Sequence, residues 1–386
     1  MITYYVSPAP ADGGTGDDAN DGLTPSTPKA TIQAANDLIT NPRTDSVNIM
    51  LSNLGTHVST ATITVPVATD YRWSQNYLCW EESTSGNYVN LNGDMVPRWL
   101  WVHDGTGDRF HVTQAPMAFY DGKFSSVSSI SYCIVGGVTC LLHNIEIDAT
   151  NMSVCALYSS STRYFINHCR FVANDPYPTY MIYGAIFGRM QSTFLSGVDY
   201  NHLAVGGALV EGCVFENWGN VTNKTAIMSA QGAVVRNNVF NGAGNGLYGI
   251  ANYVSYGQMD VYNNVFLDLT DAMLDWTSGN PAHMPGGYIG HNAFYNVTNR
   301  YSNIRGGYTS LIDPDATDLT LTADPFVDSA NGDYRLLPNS TLRGRGFVPT
   351  MGVYPGSGYT LSTTSCDIGP IQYGTPNLPF APGFIG

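Results

Sequence analysis

The sequence predicts an all-β chain folded as a parallel β-helix, a solenoid of short strands with a short N-terminal capping helix, on three observations. A phrase of polar, polar, apolar, phenylalanine recurs as Glu211-Gly212-Cys213-Val214-Phe215, Asn237-Asn238-Val239-Phe240, Asn263-Asn264-Val265-Phe266 and His291-Asn292-Ala293-Phe294. Its phenylalanines stand 25, 26 and 28 residues apart, the period of stacked structural repeats. The same phrase reaches back through Asn167-His168-Cys169-Arg170-Phe171 and His143-Asn144-Ile145-Glu146-Ile147, with Phe194 near the midpoint between Phe171 and Phe215.

Residue types choose the kind of coil. Neither the Leu-x-x-Leu-x-Leu frame of leucine-rich repeats nor long runs of 3.6 periodicity are present. What recurs is a β-branched or aromatic run, an asparagine and another such run. That reads as three short strands per coil joined by tight turns. Asparagine tolerates the left-handed backbone of a sharp corner, and stacked asparagines can hydrogen-bond along the axis. Phenylalanine, isoleucine and valine at the equivalent inward position stack to form the core.

Both ends support a resemblance. Tyr4-Tyr5-Val6-Ser7, the Gly/Asp-rich stretch from Gly13 to Gly22, and Leu23 to Ala35 resemble the opening of right-handed parallel β-helix proteins of the pectate-lyase-like superfamily. Ala323-Asp324-Pro325-Phe326-Val327-Asp328, Asn331 to Leu336 and Asp367-Ile368-Gly369-Pro370 resemble the way such chains close. The resemblance implies a right-handed β-helix and leaves function open, since that architecture hosts lyases, hydrolases, epimerases, adhesins and phage tailspikes. The expected division is an N-terminal cap over residues 1–50, coils with loop excursions over 51–300, and a terminal coil, cap and Gly/Pro-rich tail over 301–386.

Bulk composition narrows the partners. The chain has 386 residues, which a solenoid accommodates as one body by adding coils. With 16 basic and 30 acidic residues the net charge is −14, which argues against nucleic acid, anionic lipid and strongly acidic polymers as partners. A neutral polysaccharide or another protein fits better. The seven cysteines show no zinc spacing; Cys169 and Cys213 occupy core-side repeat positions, and a disulfide framework is not expected. Neither a leader peptide nor a membrane-spanning run is recognised, and no metal or cofactor is expected.

Along the chain, Thr27 and Pro28 read as the start of a helix that places Ile32, Ala35, Leu38 and Ile39 on one face. Asp17, Asp18 and Asp21 form either a solvated turn or a calcium-chelating loop. Asn48 to Leu51, Thr62 to Val65 and Trp99 to Val102 read as strands. The stretch from Tyr71 to Gly93, with Trp73, Tyr77, Trp80, Glu81, Glu82 and Tyr88, reads as a long loop whose rings either pack or grip sugars. Asn174 to Leu203 interrupts the repeat. The uncharged C-terminal tail, residues 376–386, is expected to lie along a coil or a neighbouring subunit.

Candidate function concentrates in the late turns. Asp271 and Asp275, with His283 near them and Asp268 in the same turns, are the candidate catalytic carboxylates of a glycosidase. Trp276, Tyr248, Tyr253, Tyr256 and Trp80 are candidate glycan-binding rings. The bland reading of those aspartates is that they bond turn amides. The Asp-Asp and Gly-His-Gly signatures of polygalacturonase-like hydrolases are missing from the coils, and a β-eliminating lyase would have to use Lys123, Lys224 or one of Arg163, Arg170, Arg189 and Arg236 as base. The expectation is therefore a structural virion surface protein, a phage spike, fibre or decoration, at the virion surface or outside the cell. It would self-associate as a homotrimer, contact other virion proteins and bind glycan. The alternatives are a polysaccharide-degrading hydrolase or lyase, and an envelope adhesin.

Overall fold

In a computed structural model of the chain, the recurring phrase marks a corner. The structure describes residues 1–70, 72–80, 99–104, 109–112, 116–135, 139–159, 163–173, 180–184, 189–191, 193–197, 201–205, 209–218, 225–229, 233–243, 248–252, 259–275, 289–303, 317–347 and 366–370. They form two units, one within residues 1–188 and one within residues 189–386, each a parallel β-helix with three sheets.

In the second unit, sheet D holds Leu209–Glu211, Val234–Arg236 and Asp260–Tyr262. Sheet E holds Val214–Glu216, Val239–Asn241 and the starts of Val265–Asp275 and Ala293–Asn303. Sheet F holds Thr225–Ser229, Tyr248–Asn252 and the ends of those two long strands. Between D and E one residue per coil takes a left-handed backbone: Gly212, Asn237, Asn263 and His291, with φ of 61°, 56°, 58° and 54°. Asparagine and histidine tolerate this region better than β-branched residues do, which explains the first polar position of the phrase.

The second polar position turns inward. Asn238, Asn264 and Asn292 are fully buried and linked: Asn238 Nδ2 donates to Asn264 Oδ1 at 2.9 Å, and Asn264 Nδ2 to Asn292 Oδ1 at 3.1 Å. Asp318 ends this ladder by accepting the Asn292 amide at 2.8 Å. Beside it Phe215, Phe240, Phe266 and Phe294 stack with ring centroids 4.9, 4.9 and 5.4 Å apart and planes within 10°. The ladder and the phenylalanine stack are as the sequence predicts.

The first unit repeats the plan. Sheet A holds Ile2–Val6, Val47–Ser52, Gln75–Trp80, the starts of Met117–Ser126 and Thr139–Asp148, and Arg163–Asn167. Sheet B holds Trp99–His103, the ends of those two ten-residue strands, and Arg170–Ala173. Sheet C holds Ile130–Val135, Met152–Ser159 and Tyr180–Gly184. Its A–B corner is again left-handed, at Asp121, Asn144 and His168.

Several expectations change. The first coils begin at Ile2–Val6, inside the stretch expected to be a cap. The helix is Ile32–Asp37, capped by Thr31, whose hydroxyl accepts the Ala34 amide at 3.1 Å, and not by Thr27. Thr27 instead bonds Asp21. Ile32, Ala35 and Ile39 are buried, but Leu38, just past the end of the helix, is 40% exposed. Asp17, Asp18 and Asp21 accept turn amides and hydroxyls, the solvated-turn reading.

Tyr77 and Trp80 are not in a loop but on the strand Gln75–Trp80. Tyr77 is fully buried and stacks on Phe119 at 4.7 Å, because its side of that strand faces the core. Within Asn174 to Leu203 the described strands continue the coils, since Arg189–Gln191 pairs with Leu209–Glu211 and Asn201–Val205 with Thr225–Ser229. In that stretch Leu195, and not Phe194, is in register with Phe215. No disulfide joins any of the seven cysteines, all of which are described and six of which are buried.

After the last coil the chain returns over the second unit. An antiparallel hairpin, Phe326–Asp328 with Asp333–Leu336, places the Tyr334 hydroxyl 2.6 Å from Glu216 and 2.9 Å from the Asn241 amide that donates to it. Further on, Asn263 and Phe347 exchange two hydrogen bonds of 2.8 and 2.7 Å, and the Phe347 ring lies on Tyr262 and His291. Residues 376–386, and the expectation for them, lie outside the described residues.

Candidate functional site

The late-coil candidates divide between a partly buried pair and residues outside the description. Asp271 is 6% exposed, in register with Tyr248 on one side and with Asn299 on the other, and Asn299 donates to its carboxylate at 2.8 Å. Burial and the neighbouring Asp271 charge push the Tyr248 phenol up from its ordinary pKa. Gly249 faces Phe266, so Tyr248 and its register partner Asp271 lie on the other side of sheet F, the side of the buried Ile250 and Met273. Asp275 ends the same strand, in register with Asn252 and Asn303. Four strand residues place the two backbone positions about 13 Å apart, against carboxyl separations of roughly 5–10 Å in glycosidases. The Asp275 side chain and all of Trp276, Tyr253, Tyr256 and His283 lie outside the described residues. Asp268 is a left-handed corner residue bonded by Asn296 at 2.6 Å, the turn role.

Of the candidate bases, Arg236 is tied to Glu211 at 3.0 Å and to the Tyr262 hydroxyl at 2.9 Å. Lys123 and Arg170 share the carboxylate of Glu146, at 2.6 and 3.4 Å, on three successive strands of sheet B. The Glu146 side chain is only 2% exposed, so these cations neutralise a buried acid. Arg163 is exposed, and the Arg189 side chain and Lys224 lie outside the described residues.

A surface that the sequence did not announce is the outer side of sheet A. Tyr4, Val6, Ile49, Leu51, Tyr77, Phe119, Leu142 and Ile166 face the core, so the residues between them face outward. One outward column runs Thr3, Asn48, Asn76, Ala118, Leu141, Phe165, in register across the sheet, with Asn76 donating to Asn48 at 2.9 Å and Phe165 41% exposed. The next has Tyr5, Met50 and Leu78 on three strands and Tyr120, His143 and Asn167 on the following three. Trp80 lies on this side and meets Tyr5 edge-on at 5.4 Å. None of these positions carries a carboxylate, lysine or arginine, so the two columns are uncharged on a chain of net charge −14, with the exposed Arg163 at the edge beside Phe165.

The corner end of this face concentrates polar groups. The His143 ring is 6.0 Å from Tyr120 and 5.6 Å from His168, the latter turned by its left-handed backbone. Burial, with His143 beside it, holds His168 down at about 4, so it is neutral at ordinary pH. Period reasoning missed this face because it followed the inward phrase. The available signal was outward alternation across strands of irregular spacing.

Comparison with known proteins assigns no function to this geometry. No family profile matches the sequence, and no curated protein does. Among solved structures the chain is similar to the pectate lyase Pel9A, at 13% identity and a TM-score of 0.46 over 96% of this chain and 96% of that one. It is also similar to the GH136 lacto-N-biosidase of Eubacterium ramulus, at 12% identity and 0.43 over 83% of this chain and 68% of that one. The three-sheeted coils themselves make this a parallel β-helix, the fold that the sequence predicts. A second aromatic cluster lies on sheet C, where Tyr158 stacks on Tyr183 at 5.6 Å and Tyr132 and Tyr180 extend the contact.

Proposed function

We propose that the protein is a structural, glycan-binding β-helix that holds a neutral polysaccharide on the outer face of sheet A. The observation that carries this reading is the pair of uncharged columns on that face, with half-exposed Tyr5, Trp80 and Tyr120 beside an asparagine pair. Aromatic rings stack on the apolar faces of sugars while amides and hydroxyls take their hydroxyl groups, and a neutral polymer meets no repulsion there. A rigid coil with such a face suits a spike, fibre or decoration protein displayed on a surface, and a homotrimer joined through coil faces belongs to the same proposal.

Trp80→Ala and Tyr120→Ala are each expected to weaken retention of the bound neutral polysaccharide about tenfold, the loss of roughly 1.4 kcal/mol. Affinity electrophoresis across a panel of neutral and acidic polysaccharides would measure it. Undiminished retention in both variants would remove sheet A from the reading. A second reading, polysaccharide cleavage, is favoured by Asp271 beside Tyr248. Shortening of a polymer that Asp271→Asn abolishes would put that reading first.

A further inference from the structure

We propose that His143, His168 and Asn167 form a site for one borderline transition-metal ion, of the zinc, nickel or copper class. The two imidazoles come from neighbouring coils and their rings stand 5.6 Å apart. Asn167 is in register with His143 and directly precedes His168, so the topology brings the three residues to one corner. His168 Nδ1 and Asn167 Oδ1 are both buried and neither has a hydrogen-bond partner. Buried polar atoms are nearly always satisfied. Two orphaned atoms on successive residues, beside a second imidazole that also makes no hydrogen bond among the described residues, mark a place for a ligand.

The size and chemistry of that ligand follow. The atoms are closed to anything as large as a sugar, whereas an ion sits about 2.0–2.1 Å from an imidazole nitrogen. Imidazole favours zinc, copper and nickel, while magnesium and calcium prefer carboxylate and carbonyl oxygen. Among the described residues no three His, Cys, Asp or Glu side chains converge on a metal position. The shell is therefore two imidazoles and the Asn167 carbonyl, with water in the remaining positions. The Tyr120 ring, 6.0 Å from His143, flanks the site. This assignment does not depend on the glycan reading.

The test titrates the metal-free full chain with Zn2+ and Ni2+ by calorimetry, with Co2+ for its visible absorption and Mg2+ as control. One equivalent of each transition ion is expected to bind saturably, and Mg2+ is not. His168→Asn keeps the corner, since Asn144, Asn237 and Asn263 hold the same left-handed backbone. It and His143→Gln are each expected to weaken binding at least about tenfold. Zn2+ should raise the melting temperature of the wild type and not that of His168→Asn, whose metal-free melting temperature stays at the wild-type value. Binding unchanged in both variants would place the ion elsewhere and overturn the site. No saturable binding at millimolar ion would leave an ordered water as the partner of these atoms, which also overturns it.

Discussion

Replacing Asn264 by leucine is expected to destabilise the second unit by about 3–5 kcal/mol, although the two side chains are close in size. Asn264 is fully buried and works in both directions along the axis. Its Oδ1 accepts the Asn238 amide at 3.0 Å and Asn238 Nδ2 at 2.9 Å. Its Nδ2 donates to Val235 O at 2.9 Å, Tyr262 O at 3.1 Å and Asn292 Oδ1 at 3.1 Å. Leucine fills the space and satisfies none of these groups, leaving buried donors and acceptors that had water in the unfolded chain. Chemical denaturation followed by circular dichroism would measure the loss. A midpoint within experimental error of the wild type would mean that the ladder is decoration and that the apolar stack alone holds the coils.

Phe240→Ala is expected to cost about 3–5 kcal/mol, through lost burial and the cavity left behind. Phe240 lies between Phe215 and Phe266, at 4.9 Å from each ring, and is fully buried. Neighbouring strands in a sheet are hydrogen-bonded at a fixed spacing of about 4.8 Å, so the coils cannot close up around a missing ring. Phe240→Leu keeps most of the volume and is expected to cost under about 1.5 kcal/mol. Near-equal unfolding midpoints for the two variants would show that the stack relaxes, and would sink the argument from rigid spacing.

Both results concern features that can be read along the chain. Asn237-Asn238-Val239-Phe240 states a corner, a buried ladder position and a core ring in four residues, and the structure uses them so. Where the reading failed, the deciding contacts were distant or the register was one residue away. Thr31 caps the helix where Thr27 was expected, and Leu195 stands opposite Phe215 where Phe194 was expected, because neighbouring residues on a strand face opposite sides. Tyr77 looked like part of a loop, since the spacing from Met50 to Leu78 and on to Tyr120 is too uneven to register as a repeat.

The candidate sites divide in the same way. Asp271 and Tyr248 were legible separately, as a candidate carboxylate and a candidate ring of the late turns, and only the register sets them side by side. The uncharged columns of sheet A and their histidine corner were not legible, because outward residues are constrained only by solvent and carry no repeated phrase. What the sequence determined by itself is the coil: its three strands, its corners, its ladder and its stacked core, since those depend on alternation and on backbone preferences within a single repeat. The tertiary structure alone decided what each face meets. Phe347 comes back across 84 residues to hydrogen-bond Asn263, and His143 finds His168 only because one coil is laid on another. Such contacts arise from stacking register, which no local pattern encodes.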